Sequence, residues 1–203
     1  MTFERVTYVG PPINDPDLLD ELPEELAAVL RQQNGCVAYG GGLHIRGACT
    51  APAWHSLRRA WRGPSSLAHA FPALRPTDIP FAEDALGDQY VLSRGIVCLL
   101  SAETGHLSPI MVPLDQFLKE VVSAPIRVLS LGPLLAFEQS GGALAPGQLL
   151  SVYPPFAVEH GGEYSYRAVS AADRLASLAC LAAKLHHLGD GQRIRFEISD
   201  RVV

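Results

Sequence analysis

Leu18, Leu22, Leu26, Val29 and Leu30 fall at helical spacing, and Asn34-Gly35 supplies a stop signal. Pro23 suits a first helical turn because its missing N–H would have no partner there. The pattern therefore predicts a helix over 23–33, with acids near its N-terminus where the helix dipole favours them. Two short apolar runs, 36–39 and 43–45, flank Gly40-Gly41-Gly42 and read as strands joined by a tight turn. Pro52 opens a second helix in which Trp54, Leu57 and Trp61 share one face, closed by Gly63-Pro64. The most strand-like passage holds runs at 79–82, 89–93 and 96–100, the last two joined at Arg94-Gly95, and a run at 106–112 after Glu103-Thr104-Gly105. Together they predict an antiparallel meander. Pro113 then starts a helix with Leu114, Phe117, Leu118 and Val121 as its apolar stripe.

Beyond Pro125 the pattern predicts a helical stretch over 126–138, broken near Gly132-Pro133, and a strand over 149–153 among Gly-Gly, Pro-Gly and Pro-Pro breaks. Ser170-Ala171-Ala172-Asp173 is close to a capping box, and Leu175, Leu178, Leu181, Ala182 and Leu185 form one face of the helix it opens, with Gly189 as its end. Alternation over 193–198 predicts a half-buried last strand. Helices and antiparallel strands in mixed order indicate an α+β fold: a twisted antiparallel central sheet flanked by helices, with a C-terminal helix–strand elaboration. Residues 1–123 are the expected core, and residues 124–203 the elaboration, because one helix and one strand make a poor independent core.

Charge changes this picture more than composition does. The 203 residues carry a net charge of −5 and are 48% hydrophobic, which disfavours a disordered chain and a general nucleic-acid binder. No apolar run reaches the roughly 20 residues of a membrane span, and no secretory leader is visible at the N-terminus, so the expectation is a soluble cytoplasmic protein. Along the chain the charge is segregated. Residues 1–34 have a net charge of −5, residues 35–76 hold five arginines and no acid, and residues 77–120 return to −5. The basic and acidic blocks are able to pair with each other in space, or to remain separate solvated faces. Cys36, Cys49, Cys98 and Cys180 stand alone beside apolar residues and read as inert core thiols.

No phosphate-binding loop, nucleophile elbow, zinc-protease motif or dinucleotide fingerprint occurs. His186-His187 point about 100° apart on a helix and do not form a metal pair, Glu159-His160 reads as loop, and Glu83, Asp84 and Asp88 lack calcium-loop spacing. Neither a metal nor a cofactor is expected, and an enzyme is disfavoured.

Leu22-Pro23-Glu24-Glu25-Leu26 followed by Gln33-Asn34-Gly35 resembles the opening helix of the SUKH superfamily, which includes fungal cell-wall-synthesis regulators and bacterial immunity proteins against polymorphic toxins. Ile79-Pro80-Phe81-Ala82-Glu83-Asp84-Ala85-Leu86-Gly87-Asp88-Gln89-Tyr90-Val91-Leu92 resembles that family's apolar strand, acidic bend, Gly-Asp step and following strand. Gly95-Ile96-Val97 and Leu114-Asp115-Gln116-Phe117-Leu118 fall where the family has its next strand and later helix, so the resemblance covers residues 20–123. Gly87 suits a positive φ and Asp88 suits backbone N–H acceptance in the bend, while Phe81 and Tyr90 suit the core.

The resemblance implies a non-enzymatic immunity protein that binds and occludes a cognate toxin encoded nearby, a nuclease being one expected class. No direct nucleic-acid or membrane contact is expected. An acidic surface of Glu83, Asp84, Glu103 and Asp115, supported by Asp88, is the expected partner-binding face, since it would steer a basic cleft. On this reading, reversing the charge of Glu83 and Asp84 weakens binding and leaves stability alone. The alternative is a regulatory scaffold with several weak partners.

Overall fold

The computed structural model describes residues 2–159, 161–188 and 191. Seven strands run in strict sequence order, each antiparallel to the next: β1 (Tyr8–Val9), β2 (Cys36–Ala38), β3 (Leu43–Ile45), β4 (Ile79–Asp84), β5 (Gln89–Ser93), β6 (Ile96–Ser101) and β7 (His106–Val112). A second sheet pairs β8 (Gln148–Tyr153) with β9 (Ser165–Ser170). The expected α+β class and antiparallel sheet are thus present. The expected strand over 193–198 lies outside the described residues, as do Gly189 and His160.

Alternation along β5 and β6 sorts their side chains onto two apolar layers. Tyr90, Leu92, Val97 and Leu99 face the larger cluster, with Phe81 and Phe117. Val91, Cys98 and Leu100 face a smaller one with Leu67, Phe71, Leu178 and Ala182. Helices α2 (Glu24–Gln32) and α5 (Leu114–Ser123) cover the first face, and α4 (Leu67–Ala70) and α8 (Ala171–Leu185) the second. Burial on both faces explains why 96–100 is a continuous apolar run instead of an alternating one. Gly40 and Gly41 carry the β2–β3 reversal at φ 68° and 105°, a backbone region that side chains resist.

Two sequence expectations change in detail and a third holds. A separate helix α1 (Pro16–Glu21) precedes α2, and the break at Leu22 follows from Pro23, which disfavours helical backbone in the residue before it. The helix expected to carry Trp54 splits: Ala53–His55 is a 3₁₀ turn, and Ser56 caps α3 (Leu57–Trp61) by accepting the Arg59 N–H. Trp54 therefore leaves the face shared by Leu57 and Trp61. The stretch over 126–138 breaks where expected, into α6 (Pro125–Val128) and α7 (Gly132–Gln139).

Beyond residue 124, a β8–β9 hairpin and α8 pack onto the sheet. Leu150 donates its N–H to the Ala85 carbonyl at 2.7 Å, and Leu150 and Val152 join the larger apolar cluster. Ser170 caps α8 by accepting the Asp173 N–H, as its sequence predicts. Cys36, Cys49 and Cys98 are buried, with burial pushing the Cys36 thiol up to about 11, whereas Cys180 is exposed on the outer side of α8. Among the described residues no helix is long and apolar enough to cross a membrane.

Candidate functional site

The register of the sheet builds a row of polar side chains. His44 on β3 lies opposite Glu83 on β4, and Glu83 lies opposite Gln89 on β5. Gln89 shares a face with Val91, so the row lies on the sheet face that α4 and α8 cover. Arg46, two residues after His44, completes it. Its guanidinium donates to the Pro80 carbonyl at 2.8 Å, to Glu83 Oε2 at 2.7 Å and to Gln89 Oε1 at 2.8 Å. Arg46 and Glu83 are 3% and 2% exposed, so this ion pair is held away from water. Burial opposes the Glu83 charge, but Arg46, His44 and Gln89 outweigh it and hold the carboxyl at about 2.

A chain of three hydrogen-bonded links continues from Glu83. His44 Nδ1 is 2.8 Å from Glu83 Oε1, His44 Nε2 is 2.9 Å from His55 Nδ1, and His55 Nε2 is 3.0 Å from the Asn34 carbonyl. Both ends of the chain are acceptors, so three links call for three protons, while two neutral imidazoles bring two. Whichever tautomers form, a neutral pair leaves one link without a proton, and a third proton would place a cation in a buried site. Burial decides between these. It pushes His44 down against the pull of Glu83, and it holds His55 at about 4, helped by the neighbouring His44 and Arg46. Tyr8 and Trp54 enclose the two rings, with Trp54 5.1 Å from His44 and 5.4 Å from His55 between ring centroids.

Above this floor lies a cleft of about 500 Å³. Arg46 and Glu83 form its base, Trp54 and Gly147 one side, Ala60 and Leu67 another, and Ala172, Leu175 and Ala176 of α8 the far wall. Arg59, exposed on α3, also lines it. A volume of this size, apolar walls and a few fixed polar groups are typical of a recognition site.

The five acids expected to form one partner-binding face do not share an accessible surface. Glu83 is the cleft base. Asp84, 3% exposed, lies at the β4–β5 bend, where its Oδ1 accepts the N–H groups of Leu86, Gly87 and Asp88 at 2.9, 3.0 and 3.0 Å. The role expected of Asp88 in that bend thus belongs to Asp84, and Asp88 instead accepts the Ala102 N–H at 2.7 Å. Burial and the adjacent Asp88 carboxylate push Asp84 well above the usual carboxylate range, against those three N–H donors. Glu103 is buried, accepts the Ala157 N–H, and faces Arg174 of α8 at 3.7 Å, where Glu103 Oε1 and Arg174 Nε have no hydrogen-bond partner among the described residues. Asp88 is half-buried, and only Asp115 is fully exposed, on α5, where it pairs with Lys119 at 3.0 Å. The structure therefore gathers Asp84, Asp88 and Glu103 beneath α8 and leaves Glu83 and Asp115 apart from them. Among the described residues no group of three His, Cys, Asp or Glu side chains is arranged to hold a metal ion.

Sequence reasoning missed Arg46, His55 and Trp54. The available signal was the alternation of His44 and Arg46 across Leu43 and Ile45, which marks one strand face as polar but does not show that helices cover it. Compared with known proteins, the chain matches no family model and no curated sequence.

Proposed function

We propose that this chain is a non-catalytic binding protein of the SUKH type, an immunity protein that holds a cognate toxin by occupying its working surface. The observation that carries this reading is the cleft. The ionisable groups at and below its base, Arg46, Glu83, His44 and His55, are bonded to one another, and its walls are apolar. Such a recess is suited to recognition by shape. The resemblance over 79–92 agrees with a fold motif, since that segment forms two central strands and the Asp84-stabilised bend between them. The partner is a protein encoded nearby, met in the cytoplasm, with no direct nucleic-acid or membrane contact by this chain.

The test is co-expression of the tagged chain with the product of the neighbouring reading frame. A stoichiometric complex together with rescue of growth is expected. Absence of both would refute the immunity reading. One observation favours a scaffold instead: Tyr153, Phe156 and Tyr164 are 47%, 39% and 39% exposed near the β8–β9 hairpin, a second apolar surface apart from the cleft. Several partners of modest affinity, captured without growth rescue and lost on changing Phe156, would select that reading.

A further inference from the structure

The arginine-rich block over 35–76 is almost fully neutralised by its acidic neighbours in sequence. Arg46 pairs with Glu83, Arg58 with Asp15 and Glu21, Arg62 with Glu21, and Arg75 with Asp78. Arg59 is the exception: it has no acidic partner among the described residues, and it lines the cleft. At the base, Arg46 and Glu83 cancel each other at 2.7 Å. Among the described residues, the charge the cleft offers a visitor is therefore the positive charge of Arg59. The surface beside it is mostly Trp54, Leu67, Leu175 and alanines, with Ser56, Ser65 and Ser170 among them, and it accepts an apolar body with small side chains.

We propose that the cleft seats a short segment of the partner protein in which one carboxylate side chain is flanked by small apolar residues. The carboxylate meets Arg59 at the rim, and the apolar neighbours cover Trp54 and the α8 wall. This rests on the protein-binding reading, and it reverses the polarity first expected of the partner: an acidic segment, where sequence alone pointed to a basic cleft.

Two positions test it without touching the core, because Arg59 and Ala176 are both exposed. Arg59→Glu reverses the charge of Arg59, Ala176→Trp fills the far wall, and unchanged melting temperatures verify the fold of each. The probe is a set of fluorescein-labelled hexapeptides with Glu, Gln or Lys at the third position and Ala, Val or Leu elsewhere, read by fluorescence polarisation at low and at physiological salt. Glu-containing members are expected to bind about tenfold more tightly than their Lys counterparts, less so as salt rises. That preference should vanish in Arg59→Glu, persist in Arg59→Lys, and fall with all binding in Ala176→Trp. Binding that ignores the central charge, or that survives both Arg59→Glu and Ala176→Trp, overturns the proposal, as does no binding by any Glu-containing member. The two readings fail separately. Acidic-peptide binding with no toxin complex keeps the cleft assignment and removes immunity. A toxin complex of unchanged affinity in both variants keeps immunity and places the interface elsewhere.

Discussion

Acidification should destabilise the fold well above the pH at which ordinary carboxylates titrate, and the His44–His55 pair is the reason. The fold holds His55 at about 4 against an ordinary 6.5, so it favours the neutral ring. That difference corresponds to about 3 kcal/mol, present in full above pH 6.5 and lost as the pH falls through 4. Glu83 has the same sign in a lower window. Held at about 2 against an ordinary 4.5, it contributes about 3 kcal/mol above pH 4.5, which is lost toward pH 2. His44 faces Glu83 at 2.8 Å, so the two losses are coupled and their joint effect is smaller than their sum. Even the first loss is a large share of the roughly 5–15 kcal/mol that holds a domain together.

Urea midpoints at pH 8, 6, 5 and 4 measure it, followed by the fluorescence of Trp54, which touches both rings. A fall of the parent midpoint relative to that of His55→Gln is expected between pH 6.5 and 4. Asp84 and Asp88, held above the usual carboxylate range, take up protons in the folded state first and gain stability over part of this window. The His55 contribution is therefore the difference between the parent and His55→Gln, and a difference that stays constant from pH 7 to 4.5 would refute the neutral pair. It would mean that a third proton, which lets all three links form, already resides on the histidine pair at neutral pH. Imidazole ¹⁵N shifts showing one doubly protonated ring at pH 7 would establish that alternative.

Charge reversal of Glu83 and Asp84 to lysine should unfold the protein instead of selectively weakening partner binding, because Glu83→Lys alone sets two buried cations against each other, at a cost of about 3–5 kcal/mol or more; a far-UV circular dichroism melt reads it. Asp84→Asn keeps an acceptor for the three bend N–H groups and removes a buried charge beside Asp88, so its urea midpoint at pH 8 should equal or exceed that of the parent, while Asp84→Ala should cost about 2 kcal/mol. Gly87→Ala should lower stability by more than about 1 kcal/mol, since φ there is 97° and the new Cβ would lie 2.9 Å from Leu178 Cδ1; a matched thermal melt checks it. Asp115→Ala should leave the urea midpoint unchanged, because its one ion pair among the described residues is exposed on α5.

Secondary structure was legible wherever one residue pattern dominated. The β5–β6 hairpin announced itself through Arg94-Gly95 between two apolar runs, and α8 through its Ser170 cap and leucine face. The strand β9 was not legible, because Ser-Tyr-Arg-Ala-Val-Ser is half exposed and gains its partner only from β8, twelve residues earlier in register at Tyr153 and Ser165. The candidate site was hidden for a related reason. An acid in a sequence looks like surface, and Glu83 and Asp84 follow each other in an acidic run. Whether such a residue faces water depends on what crosses the sheet later in the chain, and here α8 arrives some ninety residues downstream.

That late arrival also resolves the segregated charge. Five arginines without a neighbouring acid look like a basic patch, and the acidic blocks on either side look like acidic patches. Folding brings the blocks together: Asp15 and Glu21 from the first meet Arg58 and Arg62, and Glu83 and Asp78 from the third meet Arg46 and Arg75. The exposed pairs among them contribute little individually, and the buried Arg46–Glu83 pair, although its loss on acidification costs stability, specifies register more than it improves on an apolar pair, since a mismatch on β3 or β4 would strand a charge in an apolar layer. A one-residue slip of β3 against β4 would carry His44 and Arg46 to the opposite face, among Phe81 and Phe117, and leave Glu83 alone. The polar row thus selects one alignment of the central strands. The same alignment sets Arg59 on α3 above a neutralised base, with no acid among the described residues to meet it.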